Sequence, residues 1–431
     1  MSSPVLMKKI KTRKARIAVI GLGYVGLPLA VSFAQKGFKV VGIDTNASRL
    51  ERIKALKSYI ADVSNQEIGK VIRNGCFDVS LDLSTIAAVD IIIICVPTPI
   101  KRKYTPDVSY ILSAVKSIAQ NLKKGSLVVL ESTTYPGTTE ELIQPALEAK
   151  GHKAGKDFFV AFSPERIDPG NPQYKVTSIP KVVGGLTPAC ARLTEALYKT
   201  IINKVHVVSS PKAAEMTKLL ENSFRIVNIG WINEIARMCH KLGINVWEVI
   251  DAAKTKPFGF MPFYPGLGVG GHCIPEDPLY LYWKAKRYGF NSKFIKLAAD
   301  TNSHMPHYVC HRLEEMLGKS WAKAKILVLG VTYKKDVKDL RKSPSLKLIE
   351  LLKHSHSTVD YYDPFVPYLK VGPLDMIGVA LKPAVIKKYD CVIIAVDHTG
   401  VDYRMVASQA KRIFDLKNIY KNIKNRKIVC L

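Results

Sequence analysis

The sequence predicts an α/β chain built from two doubly wound parallel sheets joined by one long central helix. Three observations carry that reading. Residues 16–20, an apolar run, lead straight into a glycine cluster at 21–26 and then a helix and a second strand. The same strand–turn–helix–strand order starts afresh near Ile326. Between them, residues from Pro211 to about Leu242 read as one helix, well beyond the usual three or four turns.

Each element follows in order. Residues 16–20, RIAVI, form a short buried strand, and Gly21-Leu22-Gly23-Tyr24-Val25-Gly26 fits G-x-G-x-x-G. LPLAVSFAQKG has helical period and ends at Gly37; FKVVGID is a second strand that finishes at Asp44. The bare glycine pattern is weak. Set between strand and helix, with an acid closing the next strand, it predicts a Rossmann-like domain with a dinucleotide pyrophosphate at the helix N-terminus and a carboxylate on the ribose. Gly21, Gly23, Tyr24, Val25, Gly26, Asp44 and Arg49 are the expected cofactor contacts. Asp44 favours NAD over NADP because it repels a 2′-phosphate, although Arg49 can serve either cofactor.

Residues 90–97 and 126–131 are further buried strands, and ligands collect at the carboxyl ends of such strands. Thr98 and Thr133 therefore face cofactor or substrate, or else merely cap turns. Residues 158–162 form another strand leading into Ser163-Pro164-Glu165-Arg166. Ser210 is a plausible N-cap, Pro211 opens the long helix and Gly243 ends it. That helix is expected to bury Met216, Leu219, Leu220, Ile226, Val227, Ile229 and Ile235, and its length suggests a connector and a dimer surface. Lys218 and Asn222 share one of its faces, which for an ordinary helix means a solvated pair.

Residues 258–281, FGFMPFYPGLGVGGHCIPEDPLYL, are rich in glycine and proline and deliver Cys273, with Asp277 four residues later. Gly266, Gly268, Gly270 and Gly271 let backbone approach a partner closely, and Phe258, Phe260, Phe263, Tyr264 and Tyr280 would wall a pocket. The thiol is a candidate covalent nucleophile; the bland alternative is an inert, buried cysteine. From Lys325 the second doubly wound domain begins, with Val331-Thr332-Tyr333-Lys334 in place of the glycine fingerprint. A helix at 346–352 and strands at 358–362 and 391–396 follow, and Lys334 and Arg341 are expected to hold the anionic part of a different, phosphorylated ligand.

Composition narrows the classes. The 431 residues suit roughly two or three domains with ample core, at 47% apolar content. No apolar run approaches the roughly 18 residues of a membrane span, and MSSPVLMKKIKTRKAR has no apolar signal core, so a soluble, cytoplasmic protein without membrane partners is expected. Eight scattered cysteines without C-x-x-C pairs read as reduced thiols, with no metal-ligand spacing. The net charge of +28 is spread along the chain rather than striped, which speaks for anionic small ligands and against nucleic acid; residues 1–15 read as a basic, mobile arm.

These motifs, GLGYVGLPLA (21–30), VPTP (96–99), STTYPGTT (132–139), SPERI (163–167), TKLLENSFR (217–225), GVGGHCIPEDP (268–278) and YKKDVKDLRKSP (333–344), resemble the UDP-glucose/GDP-mannose dehydrogenase family from Arg16 onward. The resemblance implies an NAD domain at 16–209, a central dimerising region with the cysteine loop at 210–322, and a nucleotide-sugar domain at 323–431. It implies a four-electron oxidation of a sugar C6 alcohol to a carboxylate with two NAD. Cys273 is then the nucleophile. Lys218, Asn222 and an Asp277-linked water serve the first oxidation, and Thr133, Glu165 and Asp277 serve hydrolysis. By the same resemblance Glu165, Arg166, Lys218, Asn222, Arg225, Phe263, Tyr264, Gly266, Gly270, Lys334 and Arg341 line the substrate, and the protein is a homodimer through the central helix. His272 and the FGFMPFYPG approach look like the N-acetylhexosamine branch, with UDP-N-acetylglucosamine ranked first and UDP-N-acetylmannosamine or UDP-glucose as alternatives. Leu267 and Glu276 depart from that branch, which usually has a proline and an apolar residue there. Glu276 would disfavour a thiolate on Cys273 if it pointed inward. Rival readings are an NAD fold without catalysis, which loss of Cys273 or Lys218 would favour, and a nucleic-acid binder, which a salt-dependent shift assay would detect.

Overall fold

The computed structural model describes residues 3–60, 62–101, 104–166, 178–318, 323–423 and 425–431. The chain divides into two compact units, Met1–Glu221 with Trp283–Gly289, and Asn222–Tyr282 with Phe290–Leu431. Ile167, the last residue of the SPERI motif, lies outside the described residues.

The first unit is organised by eight strands: β1 (Arg16–Ile20), β2 (Lys39–Ile43), β3 (Phe77–Ser80), β4 (Ile91–Ile94), β5 (Leu127–Leu130), β6 (Phe159–Phe162), β7 (Lys181–Gly185) and β8 (Val205–Val208). Their order in the sheet is β3-β2-β1-β4-β5-β6-β7-β8, and every neighbouring pair is parallel except β6 with β7. All four residues of β4 are isoleucines and all are buried, as a strand covered on both faces requires. The order reverses direction between β1 and β4, so the strand ends there open a crevice in which ligands bind. The glycine cluster and Thr98 lie at that end.

Residues 3–11 correct the expectation of a free basic arm. They form the helix Ser3–Lys11, whose Leu6 and Ile10 are fully buried against the helix Pro188–Tyr198. Lys9 also donates to Asp90 at 2.8 Å. Lysines occupy the outer face while two apolar residues four apart dock the inner one, a pattern that net charge hides.

The second unit contains β9 (Lys325–Leu329), β10 (Thr358–Tyr362), β11 (Tyr368–Val371), β12 (Leu374–Ile377), β13 (Cys391–Ile394), β14 (Ile413–Asp415) and β15 (Ile428–Cys430). A parallel sheet runs β10-β9-β13-β14-β15, and β11 pairs with β12 as an antiparallel hairpin. The two sheets close with the same bonds. Asp90 Oδ2 accepts the N–H of Arg16 at 3.0 Å, and Asp390 Oδ2 that of Lys325 at 2.9 Å. Gly21 donates to Ile43 O at 2.7 Å, and Gly330 to Tyr362 O at 2.8 Å. Asp44 Oδ2 accepts from the Leu22 N–H, and Asp363 Oδ2 from the Val331 N–H, both at 2.8 Å.

One difference separates them. In the second unit His398, 1% exposed, brings Nε2 to 3.1 Å from both Asp363 Oδ2 and Thr332 Oγ1, while its Nδ1 accepts the Asp336 N–H. An accepting Nδ1 leaves Nε2 as the donor. Burial alone would raise the Asp363 carboxyl, but the bonds from His398 and the backbone outweigh it and hold the group below the ordinary range.

The long helix runs Pro211–Leu242, and Ser210 Oγ accepts the Ala213 N–H as its N-cap. Leu219 and Ile226 are buried as expected, but Met216 and Leu220 are not: they stand 36% and 59% exposed. No helix among the described residues is long and apolar enough to cross a membrane.

Leu6→Ala should lower the stability of the folded chain by about 2–5 kcal/mol, read as a shift of the urea transition. Lys8→Ala, on the exposed face of the same helix, should change it by less than about 0.5 kcal/mol. Equal, negligible effects would restore the free arm.

Candidate active site

In the first unit the glycine cluster has distinct reasons at its three positions. Gly21 has φ +92°, and a Cβ there would sit 2.6 Å from the Cys95 carbonyl oxygen. At Gly26 a Cβ would lie 1.9 Å from Gly21 O, so helix and strand can pack this closely only without one. Gly23 differs: a Cβ there meets nothing within 4 Å, so its absence leaves open backbone for a ligand to approach. The helix Gly26–Gln35 follows, and no side chain caps it. Its first N–H groups therefore suit a pyrophosphate, and these residues fit a dinucleotide. Tyr24 is half exposed beside them, and Val25 is the N-cap residue.

Asp44 is buried and already engaged. Oδ2 takes the Leu22 N–H and the Arg49 guanidinium at 3.1 Å, and Oδ1 takes the Asn46 N–H at 2.9 Å. A carboxylate has about four acceptor positions, so one remains for a ribose hydroxyl. The acid thus also ties the end of β2 to the glycine loop. Tyr59 was missed: its hydroxyl donates to Leu22 O at 2.6 Å under the guanidinium groups of Arg49 and Arg52, and burial pushes it up to about 12. A lone tyrosine fifteen residues beyond the acid gives no local signal.

The two threonines are joined. Thr98, 3% exposed, donates from Oγ1 to the carbonyl of Thr133 at 2.6 Å, and Thr133 Oγ1 receives Lys218 Nζ. Lys218 is itself buried, which removes it from the solvated-pair reading. One turn before it, Glu215 accepts from the N–H groups of Gly137 and Thr139 and from Thr139 Oγ1, and so pins the STTYPGTT loop to the helix. Burial, only partly offset by these bonds, raises the Glu215 carboxyl to about 7.

Glu165 follows β6 and is 8% exposed; Oε2 accepts from Lys181 Nζ at 3.0 Å and Oε1 from the Arg166 N–H at 2.6 Å. Arg166 turns its guanidinium elsewhere, to Glu221 and to the Pro180 carbonyl.

In the second unit Cys273 is exposed and stands first in the helix Cys273–Arg287. The positive end of a helix dipole stabilises negative charge on sulfur. The thiol is therefore not the buried one that the bland alternative supposed. Asp277 lies one turn on, fully buried, and its Oδ2 accepts from Asn222 Nδ2 at 2.7 Å. Glu276 is buried too, and its Oε1 pairs with Lys342 Nζ at 2.6 Å while Oε2 lies 3.2 Å from His272 Nε2. The loop before the cysteine packs on residues after β9. A Cβ on Gly270 would lie 2.6 Å from Tyr333 Cβ, and the Gly271 N–H donates to Arg341 O at 2.8 Å. Gly270 thus serves packing, whereas a Cβ at Gly266 would meet nothing within 4 Å.

Of the aromatics, Phe263 packs edge-on to Phe224 and Tyr264 stacks on Trp247, while Tyr280 is core and Phe258 is 70% exposed. Arg225 is exposed, and Arg341 is paired with Asp339. Lys334 is half-buried in the turn that Thr332 Oγ1 closes by donating to its carbonyl.

Comparison with known proteins agrees along the chain. Family models of the UDP-glucose/GDP-mannose dehydrogenase family match its NAD binding domain at residues 15–202, its central domain at 212–304 and its UDP binding domain at 327–422. The UDP-N-acetyl-D-mannosamine dehydrogenase of Pyrococcus horikoshii is 37% identical over 94% of this chain and 96% of its own. The UDP-N-acetyl-D-glucosamine 6-dehydrogenase of Pseudomonas aeruginosa is 37% identical over 93% and 96%. The solved structure of the UDP-D-ManNAc dehydrogenase from Pyrococcus horikoshii covers 96% of this chain and 98% of its own, with a TM-score of 0.85 at 35% identity. The chain belongs to the UDP-glucose/GDP-mannose dehydrogenase family, NAD-dependent enzymes of nucleotide sugars, and its first domain is that family's NAD binding domain.

Proposed function

We propose that this chain oxidises the C6 hydroxyl of a UDP-N-acetylhexosamine to the carboxylate through a covalent intermediate on Cys273. The observation that carries the reading is an exposed thiol at a helix N-terminus, with a buried carboxylate one turn away and an asparagine amide holding it. The proposal is to the class, with UDP-N-acetylglucosamine first and UDP-N-acetylmannosamine beside it, since relatives named for the manno and the gluco epimer stand at the same 37% identity.

Bound NAD supplies the hydride acceptor for both oxidations. In the first, Lys218 and Asn222 stabilise the developing alkoxide, and its proton leaves through water toward Asp277. The Cys273 thiolate then adds to the C6 aldehyde; a C–S bond forms and the oxygen takes a proton, giving a thiohemiacetal. Loss of the second hydride and that proton leaves a thioester. Water attacks it, the C–S bond breaks and the thiolate returns; the family resemblance assigns Thr133, Glu165 and Asp277 to this hydrolysis. Alcohol, two NAD⁺ and water become carboxylate, two NADH and three protons. Lys334 and Arg341 are assigned to the anionic UDP half, and Phe263, Tyr264 and Gly266 to the sugar side.

The test is NADH formation with UDP-GlcNAc, UDP-ManNAc, UDP-GalNAc, UDP-glucose and GDP-mannose. Two NADH per acid are expected with an N-acetylhexosamine, and Cys273→Ser should abolish acid formation without altering the fold. Preference for UDP-glucose or GDP-mannose would overturn the substrate class, and acid from the serine variant would overturn the thioester.

Because Lys218 is buried on Thr133 rather than solvated, Lys218→Ala should lower kcat at least about a hundredfold, as loss of one preorganised donor worth about 2.7–4 kcal/mol does. NAD affinity should change much less. A near-normal kcat would return Lys218 to a structural role.

Leu220, Phe224, Trp231 and Met238 form an exposed apolar stripe on the long helix, which supports self-association through it as a homodimer. Sedimentation equilibrium should give twice the chain mass, and Trp231→Glu should shift it toward one; a monomeric parent protein would exclude this reading.

A further inference from the structure

Four buried polar side chains in the first unit form a line that ends at Glu165. Tyr198, on the helix Pro188–Tyr198, donates its hydroxyl to Glu131 Oε1. Glu131, just after β5, takes Lys181 Nζ on Oε2 at 2.8 Å, and the same ammonium reaches Glu165 Oε2 at 3.0 Å. Glu131 is 1% exposed and Lys181, the first residue of β7, is 4% exposed. The ammonium also lies 5.2 Å from the centre of the Tyr198 ring. Burying three charges is costly, and well-packed apolar residues in their place are often no less stable. Fold stability alone therefore gives little reason for the arrangement.

We propose that Lys181 is a positioning residue for Glu165, fixing where that carboxylate sits, and that Glu131 tempers the grip of Lys181 on it. The inference rests on the reading that Glu165 handles the hydrolytic water. A base that must take a proton from water needs a fixed direction and a proton affinity that is not suppressed. A lone ammonium 3 Å away would give the first and spoil the second. A second carboxylate bonded to the same ammonium offsets that pull.

Lys181 from β7 and Glu131 after β5 are tied to Glu165 by the bonds above, Cys95 after β4 and Tyr198 from its helix lie within electrostatic reach of it, and the Arg166 N–H donates to it. Burial, reinforced by Glu131, pushes Tyr198 and Cys95 far up, so both stay neutral. Burial would depress Lys181, but the two carboxylates outweigh it, so the lysine stays charged. Burial raises the Glu131 carboxyl against the pull of Lys181, whose ammonium bonds both acids.

That balance makes two variants move in opposite senses. Glu131→Gln leaves Lys181 to Glu165 alone, lowers its proton affinity, and should move the acidic limb of kcat for acid formation to lower pH by about one unit or more. Lys181→Met leaves Glu165 facing Glu131 and should move the limb up by a similar amount, whereas Lys181→Arg should restore it. Because Lys181→Met strands two buried carboxylates and risks misfolding, Glu131→Gln and the double variant Lys181→Met/Glu131→Gln carry the test as well; in the double variant the limb should lie above that of Glu131→Gln. The Glu165 carboxyl is titrated in parallel by infrared difference spectroscopy, its band assigned by loss in Glu165→Gln, with no substrate present. Opposite shifts in that titration support the proposal, even if no UDP-N-acetylhexosamine is oxidised and the proposed function fails. Unmoved or same-sense shifts, with only a uniform loss of stability or rate, overturn it.

Discussion

A buried acid at the end of the second strand takes the first free amide of the loop that follows the first strand, and each sheet depends on this contact. In the first unit it is Asp44 with Leu22; in the second it is Asp363 with Val331 and Thr332. The loop after a central parallel strand turns sharply away from the sheet and leaves amides that no neighbouring strand reaches, and buried amides left unpaired are costly. Gly21 and Gly330, with φ +92° and +88°, make the turn that presents those amides to the acid. The crevice at the carboxyl ends of the strands follows from this geometry.

Several polar groups of the first unit are withdrawn from water. Thr98, Thr133, Glu215 and Lys218 link the exits of β4 and β5 to the long helix, and Lys181 links Glu131 to Glu165. In such surroundings a hydrogen bond is stronger and an unmet one more costly, so these chains are rigid once complete. Glu215 shows the other side: three donors do not fully offset burial, and its carboxyl is left near neutrality.

Local pattern made part of this legible. Four consecutive β-branched isoleucines bounded by turn signals fit a strand covered on both faces, and the run from Pro211 to Leu242 holds helical period between a serine cap and a glycine. Period alone, however, does not say which neighbours arrive, and Leu220 is therefore exposed where Leu219 is not. The basic first residues conceal a helix because two buried side chains suffice to dock it. Lys181, Tyr59 and His398 carry no local signal because hydrogen-bond partners of each lie 16 to 66 residues away in sequence, beyond the reach of any motif. The glycines before Cys273 looked alike in sequence, yet Gly270 is pressed against Tyr333 while Gly266 is open.

Asp363 bears on how fingerprints are read. It occupies the same place in its sheet as Asp44 and makes the same bond to the loop, yet His398 and Thr332 close over it where the first unit has its glycines. An acid at the end of a second strand is thus demanded by the backbone before any ribose is considered. Used as a diagnostic, that acid would score both halves of this chain as dinucleotide sites. Discrimination comes from the position of Gly23, where a missing Cβ leaves room rather than relieving a clash.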